Sequence, residues 1–251
     1  MHKIASSELS QNRLIATLRP QHQLLFSSVA SVMTLRTGHI LYEPGDNVTA
    51  AWFPLDSAVA SFHVIMEDGA AIETAMIGNE GAIGGIVSQG NLAAYARSCV
   101  MHGGRFARVG VRDLDEIKQA APPIRHLLAR YADCLLAQIF QSVGCNAAHP
   151  LEQRAARWLT CAVDRTGLDE IAMTQDQFGS ILGVGRSYAS RLIQRLKAQG
   201  LLETRRAGLI VRDPQQLRAR ACGCEELIRA HFEQVLAGVY PPPAEEAEEE
   251  A

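Results

Sequence analysis

The chain has 251 residues, of which 47% are hydrophobic and 20% charged, and its net charge is −3. That length suits one or two domains, and the composition excludes a collagen-like or wholly disordered chain. No run of about 18 apolar residues exists to span a bilayer as a helix, Met1 to Pro20 lacks the apolar core of a secretory signal, and six scattered Cys make no disulfide framework, so a cytoplasmic protein is expected.

Charge is spread unevenly. Residues 1–149 carry 11 basic against 12 acidic side chains, residues 150–220 carry 12 against 7, and residues 221–251 carry 1 against 8. A block of net +5 inside an acidic chain points to a polyanion as the partner of that block.

Residues 1–20 read as a polar helix that packs through Leu9, Leu14 and Leu18 on the domain after it. From Leu35 to Val111, short apolar runs alternate with turn signals such as Glu43-Pro44-Gly45-Asp46, Glu67-Asp68-Gly69 and Gly78-Asn79-Glu80-Gly81. Many short strands between glycine-rich turns predict a β-barrel or jelly roll, with a hairpin at Met66–Ala71. After Pro122-Pro123 the period changes. Ile124, Leu127, Leu128, Tyr131, Leu135, Ile139 and Val143 succeed one another mostly at three- and four-residue steps, which predicts a long helix ended by Gly144 and Pro150. Its apolar stripe has to be buried, either on the barrel or in a symmetric helix–helix seam, and periodicity alone leaves both open.

Leu151 to Val163 reads as an amphipathic helix, Thr174 to Gly200 as two helices about a tight turn, and Leu201 to Val211 as a β-hairpin. A further helix is expected over Glu225 to Leu236. Beyond it, Pro241-Pro242-Pro243 and a Glu-rich run cannot build a core and read as disordered.

The two helices after Thr174 carry the function. Thr174 can cap the first, with Gln177 reaching back in a capping box, while Phe178, Ile181 and Leu182 face inward. Gly183-Val184-Gly185 provides the turn. In the second helix Ala189, Leu192, Ile193 and Leu196 form one inward face, which leaves Arg186, Ser187, Ser190, Arg191, Gln194 and Arg195 outward. This is helix–turn–helix spacing with a basic second helix, suited to a major groove about 12 Å wide. Arg186 and Arg191 are candidates to fork onto guanine edges, Ser187 and Ser190 to meet bases or phosphates, and Arg205 and Arg206, before the Ala207-Gly208 turn, to touch the backbone as a wing. The plainer alternative is a helical hairpin with a solvated basic face.

The order of roll, long helix, helix–turn–helix and wing resembles the bacterial transcription factors of the cyclic-AMP receptor protein and fumarate–nitrate regulator (Crp/Fnr) family over about residues 20–218. The specific part is Thr174-Gln-Asp-Gln-Phe-Gly-Ser-Ile-Leu-Gly, with Arg186 and Ser190-Arg191-Leu192 after it. The resemblance implies an α+β fold with a cyclic-nucleotide-binding-like effector domain at 1–120, a dimerisation helix at 121–147 and a winged helix–turn–helix at 148–220. A C-terminal helix and acidic tail occupy 221–251. It also implies a homodimer through Ile124, Leu128, Tyr131, Leu135 and Ile139, with double-stranded DNA as partner and RNA polymerase a further candidate. Thr174 joins the outward residues of the second helix, Arg205 and Arg206 as DNA-binding candidates. Ser187 stands where many members carry a base-reading Glu, so the usual half-site does not carry over.

Nucleotide-binding members hold the ribose with a Glu and the cyclic phosphate with an Arg. The matching stretch here is Ile83-Gly84-Gly85-Ile86…Arg97-Ser98, in which Gly85 cannot accept from a ribose hydroxyl. An effector other than cyclic AMP is therefore expected, with Gly84, Gly85, Arg97 and Ser98 as candidates for a small anion; Arg97 reads equally as a structural ion pair. Two further readings stay open: a DNA-binder with a vestigial pocket, and a ligand-binding module whose helix–turn–helix docks protein. No nucleophile, Walker or metal-ligand arrangement points to an enzyme. Cys222-Gly-Cys224 with His231 is the tightest soft-ligand group but lacks the second pair that zinc needs, and Cys134, Cys145 and Cys161 read as small buried hydrophobes. Neither metal nor cofactor is expected.

Overall fold

The computed structural model describes residues 2–240 except Gln89, Asn91 and Ala207. The Pro-rich and Glu-rich end and part of the Ala207-Gly208 turn therefore lie outside the described residues. The order begins with β1 (His2–Lys3), α1 (Ser6–Leu9), α2 (Arg13–Ala16) and α3 (Pro20–Val29). The single helix expected over residues 1–20 is instead two single turns. Asn12 breaks it: its Oδ1 caps α2 by accepting from the Ile15 N–H, and its Nδ2 donates to the carbonyls of Pro54 and Gly81 at 3.0 Å each. Leu9, Leu14 and Leu18 are buried, as their spacing predicted.

Eight strands come next: β2 (Ala30–Leu35), β3 (Ile40–Tyr42), β4 (Ala50–Pro54), β5 (Val59–Ile65), β6 (Ala71–Ile77), β7 (Ile83–Gly84), β8 (Arg97–His102) and β9 (Gly104–Gly110). They form two antiparallel sheets, β1-β2-β9-β4-β7 and β3-β8-β5-β6. Between β5 and β6, Gly69 takes φ +83°, which closes the predicted hairpin. One core, including Tyr42, Trp52, Ala60, Ile77, Val100 and Phe106, fills the roll. β4 is buried along its whole length because successive side chains serve two cores. Ala50 and Trp52 point into the roll, while Ala51 and Phe53 join a second core under the helices.

That second core also takes residues from α4 (Val111–Ala120) and α5 (Pro122–Ala148). α5 runs through Gly144, the expected stop, and ends at His149 before Pro150, whose ring disfavours helix in the preceding residue. The remaining elements are α6 (Leu151–Thr166), β10 (Glu170–Ile171), α7 (Gln175–Leu182), α8 (Arg186–Ala198), β11 (Leu202–Arg205), β12 (Gly208–Val211), α9 (Pro214–Ala219) and α10 (Cys224–Ala237). β10, β12 and β11 make a three-stranded sheet, so the expected hairpin gains a strand. The core around Trp158, Phe178, Leu192 and Ile193 also includes Val59 and Met76 of the roll, which ties the C-terminal helices to it. No helix among the described residues is long and apolar enough to cross a membrane.

Candidate nucleic-acid interface

Local chemistry builds α7 and α8. Thr174 Oγ1 accepts from the Gln177 N–H at 3.1 Å, and Gln177 Oε1 accepts from the Thr174 N–H at 2.8 Å, so two otherwise orphaned donors are satisfied. At the other end Gly183 takes φ +68° and stops the helix. Gly179 matters for a different reason. A Cβ there would sit 2.9 Å from the Val184 carbonyl oxygen and 3.2 Å from the Ala189 Cβ, so only glycine lets α8 cross so closely.

α8 buries Ala189, Leu192, Ile193 and Leu196 and leaves Arg186, Ser187, Arg191, Gln194 and Arg195 exposed, with Ser190 half-buried. The Arg186 side chain is 78% exposed and pairs with Asp176 at 3.3 Å. Arg195 pairs with Glu152 at 3.0 Å, and Arg205, on the wing, pairs with Glu170 at 3.6 Å. Arg206 is exposed at the end of β11. Exposed pairs of this kind are worth about 0–1 kcal/mol, so each guanidinium can exchange its carboxylate for a phosphate at little cost. Thr174 is spent on its capping box, which occupies both its hydroxyl and its backbone N–H. One exposed residue escaped the sequence reading. Tyr188 lies on the outer face of α8, with the Arg191 guanidinium 5.2 Å from its ring centre. An aromatic off the apolar period of a basic helix was the signal.

The other candidate residues are more scattered. Gly84 lies on β7, in the five-stranded sheet, while Arg97 and Ser98 open β8 in the four-stranded one. Gly84 has φ +100°, and a Cβ there would meet the Ala50 carbonyl oxygen at 2.3 Å; Gly85 is buried beside Val111 and Val48. Gly84 thus serves close backbone packing, while Gly85 faces only valine side chains. Arg97 donates from Nε to Glu43 Oε2 at 2.8 Å, and Ser98 is buried with its Oγ unpartnered.

The seam expected on α5 needs correction. Ile124, Leu128 and Tyr131 are at most 1% exposed, packed in their own chain's helical core, with Tyr131 donating to the Ala82 carbonyl at 3.1 Å. Leu135 packs against the roll and Ile139 is half-buried. The helical core claims these residues because α4, α10 and one face of the five-stranded sheet pack against the N-terminal half of α5. The exposed apolar residues are Leu136, Phe140 and Val143, at i, i+4 and i+7.

Comparison with known proteins gives the same outline. The profile of the Crp-like helix-turn-helix domain matches residues 153–220. A search of curated proteins finds no match. Among solved structures, FixK2 from Bradyrhizobium japonicum superposes with a TM-score of 0.64 at 16% identity, over 77% of this chain and 98% of that one. CLP of Xanthomonas campestris, described as a c-di-GMP responsive global regulator, gives 0.64 at 15%, over 78% and 100%. A CRP-family transcriptional regulator from Thermus thermophilus gives 0.63 at 15%, over 75% and 96%. At these identities the structural likeness establishes the fold.

Proposed function

We propose that this chain is a Crp/Fnr-like transcription regulator that reads a two-fold DNA site as a homodimer under the control of an effector other than cyclic AMP, a reading supported by the Crp-like helix-turn-helix match over residues 153–220 and by the fold shared with a CRP-family regulator. The observation that carries the reading is the face of α8, where five polar side chains, three of them arginines, stand exposed over a fully apolar inner face. Arg186 and Arg191 read base edges, Ser187, Ser190, Gln194 and Arg195 meet bases or adjacent phosphates, and Arg205 and Arg206 anchor the wing. Leu136, Phe140 and Val143 supply the seam between two copies. A symmetric pair of recognition helices then addresses half-sites about 34–36 Å apart.

A nucleotide effector of the cyclic-AMP kind fits poorly, because Gly85 offers no carboxylate and Arg97 already holds Glu43. A different anion would have to take Arg97 from that pair. The experiment is selection of bound sequences from a random DNA pool, then affinity measurement against salt. A two-fold consensus and a steep negative slope of log K on log salt, about −0.9 for each phosphate neutralised, are expected. No enriched sequence and a flat slope would leave the helix–turn–helix as a protein-docking module.

A further inference from the structure

Cys145 and His149 lie one turn apart at the end of α5, on one face of the helix because α5 continues through Gly144. Cys222 and Cys224 lie in the link from α9 to the start of α10. Folding brings the two pairs together across some 75 residues, with Cys145 Sγ 3.5 Å from Cys222 Sγ and Cys224 Sγ 3.5 Å from His149 Nδ1. All four donor atoms lie within 4.8 Å of one another, and the three cysteines are 0–6% exposed. His231, grouped with Cys222 and Cys224 on sequence grounds, is not part of this cluster, whereas Cys145, read as a small buried hydrophobe, is.

We propose that Cys145, His149, Cys222 and Cys224 form a tetrahedral site for a single zinc(II) ion, which clamps the end of α5 to the α9–α10 link. Ligands at the zinc distances of about 2.0–2.3 Å stand roughly 3.3–3.8 Å apart at tetrahedral angles, which both observed 3.5 Å edges match. Three thiolates and an imidazole are a soft, closed donor set of the structural zinc type. The spacing also argues against an iron–sulfur cluster, whose thiolates sit on separate irons and so stand further apart.

The surroundings suit a thiolate site with one excess negative charge. Gln141 Nε2 donates to Cys224 Sγ at 3.2 Å, an orienting bond of the kind that metal ligands receive from their neighbours. Arg154 and Arg157 of α6 lie close enough to act electrostatically on Cys145, and each keeps a buried Nε without a partner. Arg154 also donates to the carbonyl of Leu182 at 2.8 Å, the last residue of α7. The clamp thus stands beside the joint between α5 and α6 and one side chain away from the helix–turn–helix turn.

The test is metal analysis of the full-length protein purified under reducing conditions without chelator. One zinc per chain is expected, and equally in Cys99→Ser, which lies outside the cluster. Cys224→Ser and Cys145→Ser should lose the ion, and Gln141→Leu should weaken binding by about 10–100-fold. Because a cysteine variant can misfold, the wild-type chain is also stripped with a chelator and titrated with cobalt(II). Intense tetrahedral d–d bands with thiolate-to-cobalt charge transfer, displaced by one equivalent of zinc, are expected. Iron with acid-labile sulfide, a Cys145–Cys222 disulfide, or a stripped chain that gives no thiolate–cobalt bands would each overturn the proposal. None of these readouts uses DNA, so they stand apart from the reading of α8.

Discussion

The indole N–H of Trp158 donates to Glu73 Oε1 at 2.5 Å, which joins the first helix of the helix–turn–helix domain to a carboxylate buried in the roll. Trp158 in turn packs edge-on against Phe178 of α7, with ring centres 5.9 Å apart. Beside this contact Arg165 of α6 pairs with Glu80 of the roll at 2.8 Å and with Glu225 of α10 at 3.1 Å. Indole, carboxylate and guanidinium therefore fasten the helix–turn–helix domain to the roll, and Glu73 leaves one oxygen without a partner.

That orphaned oxygen makes the contact pH-sensitive. Burial pushes Glu73 up from 4.5 to about 7 against the opposing pull of Trp158, Arg157, Arg165 and Ser61, with Cys99 also nearby. A carboxyl raised on folding contributes most when protonated, below its unfolded value, and loses that contribution as pH rises through 4.5 to about 7. Relative to Glu73→Gln, wild-type unfolding stability should fall across this window by a few kcal/mol, at about 1.4 kcal/mol per pKa unit. Denaturant titrations at several pH values check this; a constant difference between the two proteins would refute it.

Arg186→Ala should lower affinity for the selected site by about 1–3 kcal/mol while changing nonspecific binding much less, as expected for a bidentate base contact. The native Asp176 pair is exposed and opposes little. Equal losses on both DNAs, read by fluorescence anisotropy, would reduce Arg186 to a phosphate contact.

Phe140→Glu should give a folded monomer, since Phe140 is 66% exposed and lies between Leu136 and Val143 on the free face of α5. Leu128→Glu should instead unfold the chain, because Leu128 is buried within it and an unpaired charge there has no solvation. Sedimentation velocity with circular dichroism separates the two. A wild type that stays monomeric at micromolar concentration would remove the seam.

Calorimetry with cyclic AMP should show no binding tighter than about millimolar, or −4 kcal/mol. Any anion that binds and alters operator affinity must prefer one conformational state, and Arg97→Ala should abolish that coupling. Micromolar cyclic-AMP binding that survives Arg97→Ala would place the pocket elsewhere.

Gly179→Ala should destabilise the domain by about 1–3 kcal/mol, the usual cost of overpacking, because its methyl group meets the Val184 carbonyl and Ala189. Thermal melts would show it, and an unchanged midpoint would mean that α7 and α8 separate without strain.

What the amino-acid order determined by itself was local. The capping pair Thr174 and Gln177, the glycine turn at 183–185 and the inward period from Ala189 to Leu196 act within a few residues of one another, so the helix–turn–helix was legible with the exposed basic face of its second helix. The strands and turns of the roll were legible for the same reason. Tertiary structure decided what depends on which surfaces meet. Periodicity placed an apolar stripe on α5 but could not say that the chain's own helical core consumes Ile124, Leu128 and Tyr131 and leaves Leu136, Phe140 and Val143 free. Glu73 looked like one polar residue in a strand until Trp158 closed over it. Cys145 and Cys222, 77 positions apart, have no shared local pattern, and only the packing of α10 along α5 brings their sulfurs to 3.5 Å. Hydrogen-bonded caps and side-chain periods are encoded over one or two turns of chain, whereas burial of a face and convergence of ligands are properties of the whole packed core.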